Sequence, residues 1–198
     1  MFRSRSIVLA LLALGLALVL AACGGGGSDD GGDITDVITT SVKSTDPADC
    51  TKLETQRFVE QTEFSTGPEA VTECQQDASD TSDDPDSVDV ADIKVDGDDA
   101  TANVTFTGGS FGGSTLTVAL VKDGDQWKLD KITDIVRLDI ATFKRSFADR
   151  LAASGDVPAQ IKSCIGQAIQ GASEQQIKQA LLGGSEQDLV ALFSQCLP

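Results

Sequence analysis

The stretch DGDDATANVTFTGGSFGGSTLTVALVKDGDQWKLDKI (Asp96–Ile132) decides the fold. Ala100, Ala102, Val104 and Phe106 alternate with polar residues, as do Leu116, Val118 and Leu120 and then Trp127 and Leu129. A period of two puts each set on one face of a strand. Asp96-Gly97 and Asp123-Gly124 lie between the runs, and such pairs favour two-residue hairpins because they tolerate positive φ. Just upstream, Val88 and Val90 share one register and Ile93 and Val95 the opposite one, which predicts a bulge between them. The pattern is a meander of four antiparallel strands.

Toward the N-terminus the period changes. Ile34, Val37, Ile38 and Val42 recur at helical spacing. Asp46-Pro47 reads as a cap with proline at the first helical position, opening a helix that carries Cys50 and Leu53. Arg57, Phe58, Val59 and Phe64 form an apolar-rich segment without a clear period, and Gly67-Pro68 opens a further helix with Val71 and Cys74 on one face.

Helices followed by a curved sheet that closes on DGDQWKLDKI (Asp123–Ile132) resemble the NTF2-like fold, a cone whose sheet wraps a long helix. The resemblance spans about Asp33 to Val136 and implies an α+β class. That superfamily holds isomerases and dehydratases beside members with no known catalysis, and fold alone does not choose between them. Its enzymes use acids, histidines or tyrosines lining the cone.

Before the fold lies a leader. Arg3 and Arg5 precede an apolar run, Ile7 to Ala22, that is shorter than the roughly 18 residues a spanning helix needs. This is the layout of a secretory signal peptide, residues 1–22. Leu20-Ala21-Ala22-Cys23 resembles the lipobox of bacterial lipoproteins. The resemblance implies a diacylglycerol on Cys23, a mature chain starting there, and residence on the extracytoplasmic face of a cell membrane. Two acyl chains anchor stably where one holds marginally. Residues 23–32, glycine-rich after the cysteine, read as a flexible tether.

The chain carries a formal charge of −16, and losing residues 1–22 would make it two units more negative. Phosphate-rich partners are bound by Lys and Arg displacing counterions, so nucleic acid is excluded as a partner. The chain has no histidine and no tyrosine. Ser-His-Asp and Cys-His catalysis therefore lack their base, and zinc its usual nitrogen ligand. No enzyme activity, metal or cofactor is expected. With Cys23 assigned to lipid, Cys50, Cys74, Cys164 and Cys196 remain. Three pairings exist on paper, and proximity favours Cys50 with Cys74 and Cys164 with Cys196. Closing loops of about 25 and 33 residues contributes on the order of 3 to 4 kcal/mol each in the chain-entropy model.

Asp77 to Asp99 holds ten aspartates and one base, Lys94. A calcium loop starting at Asp92 would match only at Asp92, Asp96 and Gly97. A looser set, Asp80, Asp83, Asp84 and Asp86, reads more simply as a solvated acidic loop. For acid/base catalysis, Asp89 and Asp92 look no different from solvent-facing neighbours. In Gly108-Gly109-Ser110-Phe111-Gly112-Gly113 an aromatic sits between glycines. It reads either as a turn with Phe111 folded onto the cone or as a flexible rim where Phe111 contacts a ligand or partner.

Residues 137–198 form a helical module. Leu138, Phe143, Phe147 and Leu151 suggest a linking helix. Ile161, Cys164, Ile165, Ala168 and Ile169 draw an apolar stripe that Leu189, Leu192, Phe193 and Cys196 repeat. GASEQQI (171–177) and GGSEQDL (183–189) each pair a serine cap with a polar third helical residue, Gln176 or Asp188. The whole reads as an NTF2-like cone at 33–136 with a small disulfide-closed all-α tail. The first functional expectation is a non-catalytic binding or scaffolding module on the cell envelope, with an envelope protein as partner. The alternatives are a carrier of a small apolar ligand, in a cavity lined by Val104, Phe106, Leu116, Val118 and Leu120, and less readily an NTF2-like enzyme.

Overall fold

The computed structural model describes residues 29–153, 157–183 and 191–196. It is an α+β structure in which one four-stranded antiparallel sheet, ordered β1-β2-β3-β4, is preceded and followed by helices. The strands are β1 (Ser87–Asp96), β2 (Asp99–Thr107), β3 (Thr115–Asp123) and β4 (Gln126–Arg137). Gly97 and Gly124 both take positive φ in the tight hairpin turns their Asp-Gly pairs forecast. The expected bulge falls between Ala91 and Lys94, and Asp92 occupies it with φ 52°. Aspartate tolerates that left-handed conformation better than a branched residue, and Asn103 Nδ2 donates to its Oδ2 at 2.9 Å.

Four helices come before the sheet: α1 (Asp29–Ser41), α2 (Asp49–Lys52), α3 (Gln56–Glu63) and α4 (Pro68–Asp77). The first starts earlier than the tether reading allowed, taking in Gly31 and Gly32. Tertiary contact explains this, because Asp30 in the first turn accepts from Lys122 Nζ at 2.8 Å and Trp127 Nε1 at 3.1 Å. Such anchoring offsets the poor helix propensity of glycine. The helix expected after Asp46-Pro47 is only the four residues of α2, although Asp46 Oδ1 does accept from Ala48 N. The segment without a clear period is α3, with Thr55 as N-cap accepting from Phe58 N. The helix α4 opens on Pro68 as expected, and the Cys50–Cys74 disulfide ties it to α2.

After the sheet come α5 (Ile140–Ala153), α6 (Ala159–Gly171) and α7 (Glu174–Gly183), then helical residues 191–193 running into a 3-10 turn at Ser194–Cys196. At the start of α7 the capping box forms in both directions. Ser173 N donates to Gln176 Oε1 at 2.9 Å and Gln176 N to Ser173 Oγ at 3.3 Å. The Cys164–Cys196 disulfide joins α6 to the 3-10 turn. Cys23, the rest of 1–28, and the second serine-cap segment from 184 on, with Leu189, lie outside the described residues.

The apolar side chains gather in two clusters on the sheet. In the first, Ile34 and Ile38 of α1 pack against Ala100, Ala102, Val104, Val118, Leu120, Trp127 and Leu129. In the second, Leu116 and Ile135 at the far end of β3 and β4 meet Leu138, Ile169, Ala172 and Ile177. The helical tail thus shares its core with the sheet.

Candidate apolar binding cavity

Between the second cluster and the tail helices is a cavity of about 500 Å³. That is within the 300–1,000 Å³ typical of small-molecule sites. Its floor is Leu116, Ile132 and Ile135 of the sheet. Its walls are Phe143, Phe147, Ile165, Ile169, Ile177, Ala180 and Leu181 from α5, α6 and α7, with Leu192 and Phe193 beyond them. Gln61, Thr62 and Phe64 from α3 and its end, and Ser110 and Phe111 from the glycine-rich loop, complete the lining.

Sequence pattern explains how these groups converge. Ile165 and Ile169 are one turn apart on α6, as are Ile177 and Leu181 on α7, so each helix turns a stripe inward. Phe143 and Phe147 do the same on α5. Their rings continue a series that starts on β2, with centroids 5.9 Å apart for Phe106 and Phe111 and 5.7 Å for Phe111 and Phe143. It runs on at 6.4 Å to Phe147 and 5.9 Å to Phe193. These separations suit tilted and offset aromatic pairs. Phe111 folds back onto Phe106, as the turn reading expected, and its ring is part of the cavity wall.

The strand positions expected to line a cavity divide. Leu116 does so. Val104, Val118 and Leu120 are buried under Ile34 and Ile38, so that half of the sheet is filled by its own side chains. Phe106 is partly buried between the two clusters. The void lies farther along the sheet than the alternation suggested, because the tail roofs it.

The polar lining groups are engaged within the protein. Gln61, 9% exposed, accepts from Ile132 N at 2.7 Å and donates to Ile132 O at 3.0 Å and Leu182 O at 3.2 Å. It satisfies the irregular part of β4 and binds α7 to the sheet. Thr62 Oγ1 returns to the carbonyls of Phe58 and Val59. Ser110 donates to Asp83 Oδ1 at 2.5 Å. Arg150 is the charged member of the lining among the described residues. Its side chain is 60% exposed and meets Asp83 Oδ2 at 2.5 Å, so it marks the mouth.

The aspartate-rich segment is more than the solvated loop expected. Asp83 O accepts from Ser110 N at 3.4 Å. Gly109, with φ 64°, passes so close to Asp83 and Asp84 that a Cβ would collide with their backbone. Asp83 thereby holds the glycine loop and the end of α5 together. Among the described residues no three His, Cys, Asp or Glu side chains come together as a metal-holding group. Beside the mouth Glu63 sits between the lining residues Thr62 and Phe64. Burial, with Asp77, Glu54 and Glu73 nearby, pushes its carboxyl up to about 7. Phe64 ends α3 in the left-handed region at φ 54°, a conformation of about 1 kcal/mol cost or more for a bulky residue.

Away from the cavity, Asp130 is buried on β4, accepting from Thr55 Oγ1 at 3.1 Å and paired with Arg57. It clamps α3 to the sheet. Alternation hides it, since Leu129 and Asp130 are buried consecutively. Gln61, Glu63 and Arg150 were not singled out by sequence either. The one available signal was the concentration of phenylalanine after residue 105. Comparison with protein-family models, with curated proteins and with solved structures finds no match to this chain.

Proposed function

We propose that this chain is an extracytoplasmic lipoprotein, anchored through Cys23, whose NTF2-like body and helical tail bind and carry a small apolar ligand without catalysis. The observation that supports it is the cavity of about 500 Å³, whose polar side chains are already hydrogen-bonded within the protein. Such a lining rewards apolar surface, at roughly 25 cal/mol per Å² removed from water, and asks for few polar partners deep inside. The NTF2-like reading is supported by α1 lying across one face of a bulged four-stranded meander.

The start of the described chain and the cavity lie at different ends of the sheet. Asp30 is bound to Lys122 and Trp127, which are ladder partners near the β3–β4 turn. The cavity floor, where Leu116 pairs with Ile135, is six residues along β3, about 20 Å away at 3.3 Å per residue. A lipid on Cys23 would join the body from the turn end, seven residues before Asp30.

The test uses the chain from Gly24 to Pro198, which keeps every described residue, titrated with the uncharged fluorophore N-phenyl-1-naphthylamine. Saturable one-to-one enhancement, lost in Ala180→Phe while the Tm is kept, is the expected result. Absence of saturable uptake in a folded sample would overturn the carrier reading.

A further inference from the structure

Resting on that carrier reading, we infer that the cavity selects uncharged lipophiles and discriminates against anionic amphiphiles of the same chain, such as fatty-acid carboxylates. At about 30 Å³ per small heavy-atom group, the share a water molecule takes in the liquid, the cavity of about 500 Å³ holds about 17 such groups. A single alkyl chain or a compact ring system is of that size. A chain seated among the phenylalanines would leave its head near Arg150, the exposed charged residue of the lining.

A lone arginine at the mouth of an apolar pocket would ordinarily suggest a carboxylate head. Here one guanidinium nitrogen, Nη1, is already paired with Asp83. Asp83 Oδ2 is enclosed and, Arg150 aside, takes no aligned hydrogen bond. Drawing Arg150 away to serve a ligand would leave Asp83 Oδ2, an enclosed oxygen, without its cation, which is unfavourable. Arg150 also stands in the field of two further carboxylates, Glu63 and Asp80, and Asp77 and Glu73 lie beside Glu63. One positive charge faces the carboxylates of Asp83, Glu63 and Asp80. An anionic head therefore meets repulsion where a hydroxyl head meets acceptors.

The experiment is displacement of N-phenyl-1-naphthylamine from the Gly24–Pro198 chain by 1-decanol and by decanoate at pH 8. We expect 1-decanol to displace at a concentration at least about ten-fold lower than decanoate, a preference that narrows as salt screens the mouth. Asp83→Asn, which frees Arg150, should shift the balance toward decanoate. Glu63→Gln should do so more weakly, and it serves if the Asp83 variant fails to fold. Equal or better displacement by decanoate in the unmodified chain would overturn this inference while leaving the carrier reading standing. If the fluorophore never binds, both fall.

Discussion

The two halves of the sheet carry the same alternating pattern and meet opposite fates. Under α1, Ile34 and Ile38 are no more than 1% exposed and seal against Val104, Leu120 and Leu129, also nearly inaccessible. Under α5, α6 and α7, Leu116 and Ile135 are just as inaccessible to bulk solvent, yet they floor a cavity of about 500 Å³. The difference lies in what covers the strands. A single helix with short aliphatic side chains settles onto β2–β4. Three helices, α5 with Phe143 and Phe147 and α6 and α7 with aliphatic stripes, arch over the other end, tied at their rims by the Cys164–Cys196 bond, the Gln61 amide and the Asp83–Arg150 pair. Close packing stabilises one half, and a perimeter of specific bonds holds the other open.

Breaking the perimeter should have the largest effect. Replacing Cys164 and Cys196 by serine removes a link that the chain-entropy model values at about 4 kcal/mol. Hydrogen exchange followed by mass spectrometry should show α6 and α7 losing protection while β2 and β3 keep theirs. Uniform loss across the sheet would mean that the halves are not separable. Next in size, Ile38→Ala in the filled half should cost about 3 kcal/mol in urea unfolding. Ile165→Ala, on the wall of an existing void, should cost about 1 kcal/mol or less, since fewer contacts are lost there.

Filling side chains sharpen the contrast further. Ala102→Leu inserts volume beneath α1 and should destabilise by about 2 kcal/mol, whereas Ala180→Leu projects into the cavity and should leave the Tm within about 3 °C. A matching loss at both sites would argue that the cavity cannot accept volume. The smallest effect concerns Glu63. Its carboxyl titrates at about 7 in the folded chain against an ordinary 4.5, so its contribution is fully present below pH 4.5 and is lost as pH rises through 7. Glu63→Gln should flatten the fall in Tm between those values by about 2 to 4 °C. An unchanged pH profile would place the titration elsewhere.

Much of this was legible in the residues. The strands, their turns, the bulge at Asp92, the proline start of α4 and the Ser173 capping box each follow from one or two neighbouring residues, because backbone preferences and side-chain period act locally. Both disulfides join cysteines that are near in sequence, although three pairings were open. The extra turns of α1 were not legible, since Gly31 and Gly32 are helical through contacts of Asp30 with residues far along the chain. Nor was α3, whose buried members Val59 and Gln61 answer to β4 and α7.

By itself, then, the sequence determined an acidic, histidine-free chain with a four-stranded meander, flanking helices and paired cysteines, since each of those depends on composition or short-range pattern. Only the tertiary structure decided that α1 closes one half of the sheet while the tail vaults the other, and that Phe111, Gln61 and Arg150 share one cavity. An empty volume is the difference between the space that the backbones enclose and the space that the side chains fill, and no single segment of sequence encodes that difference.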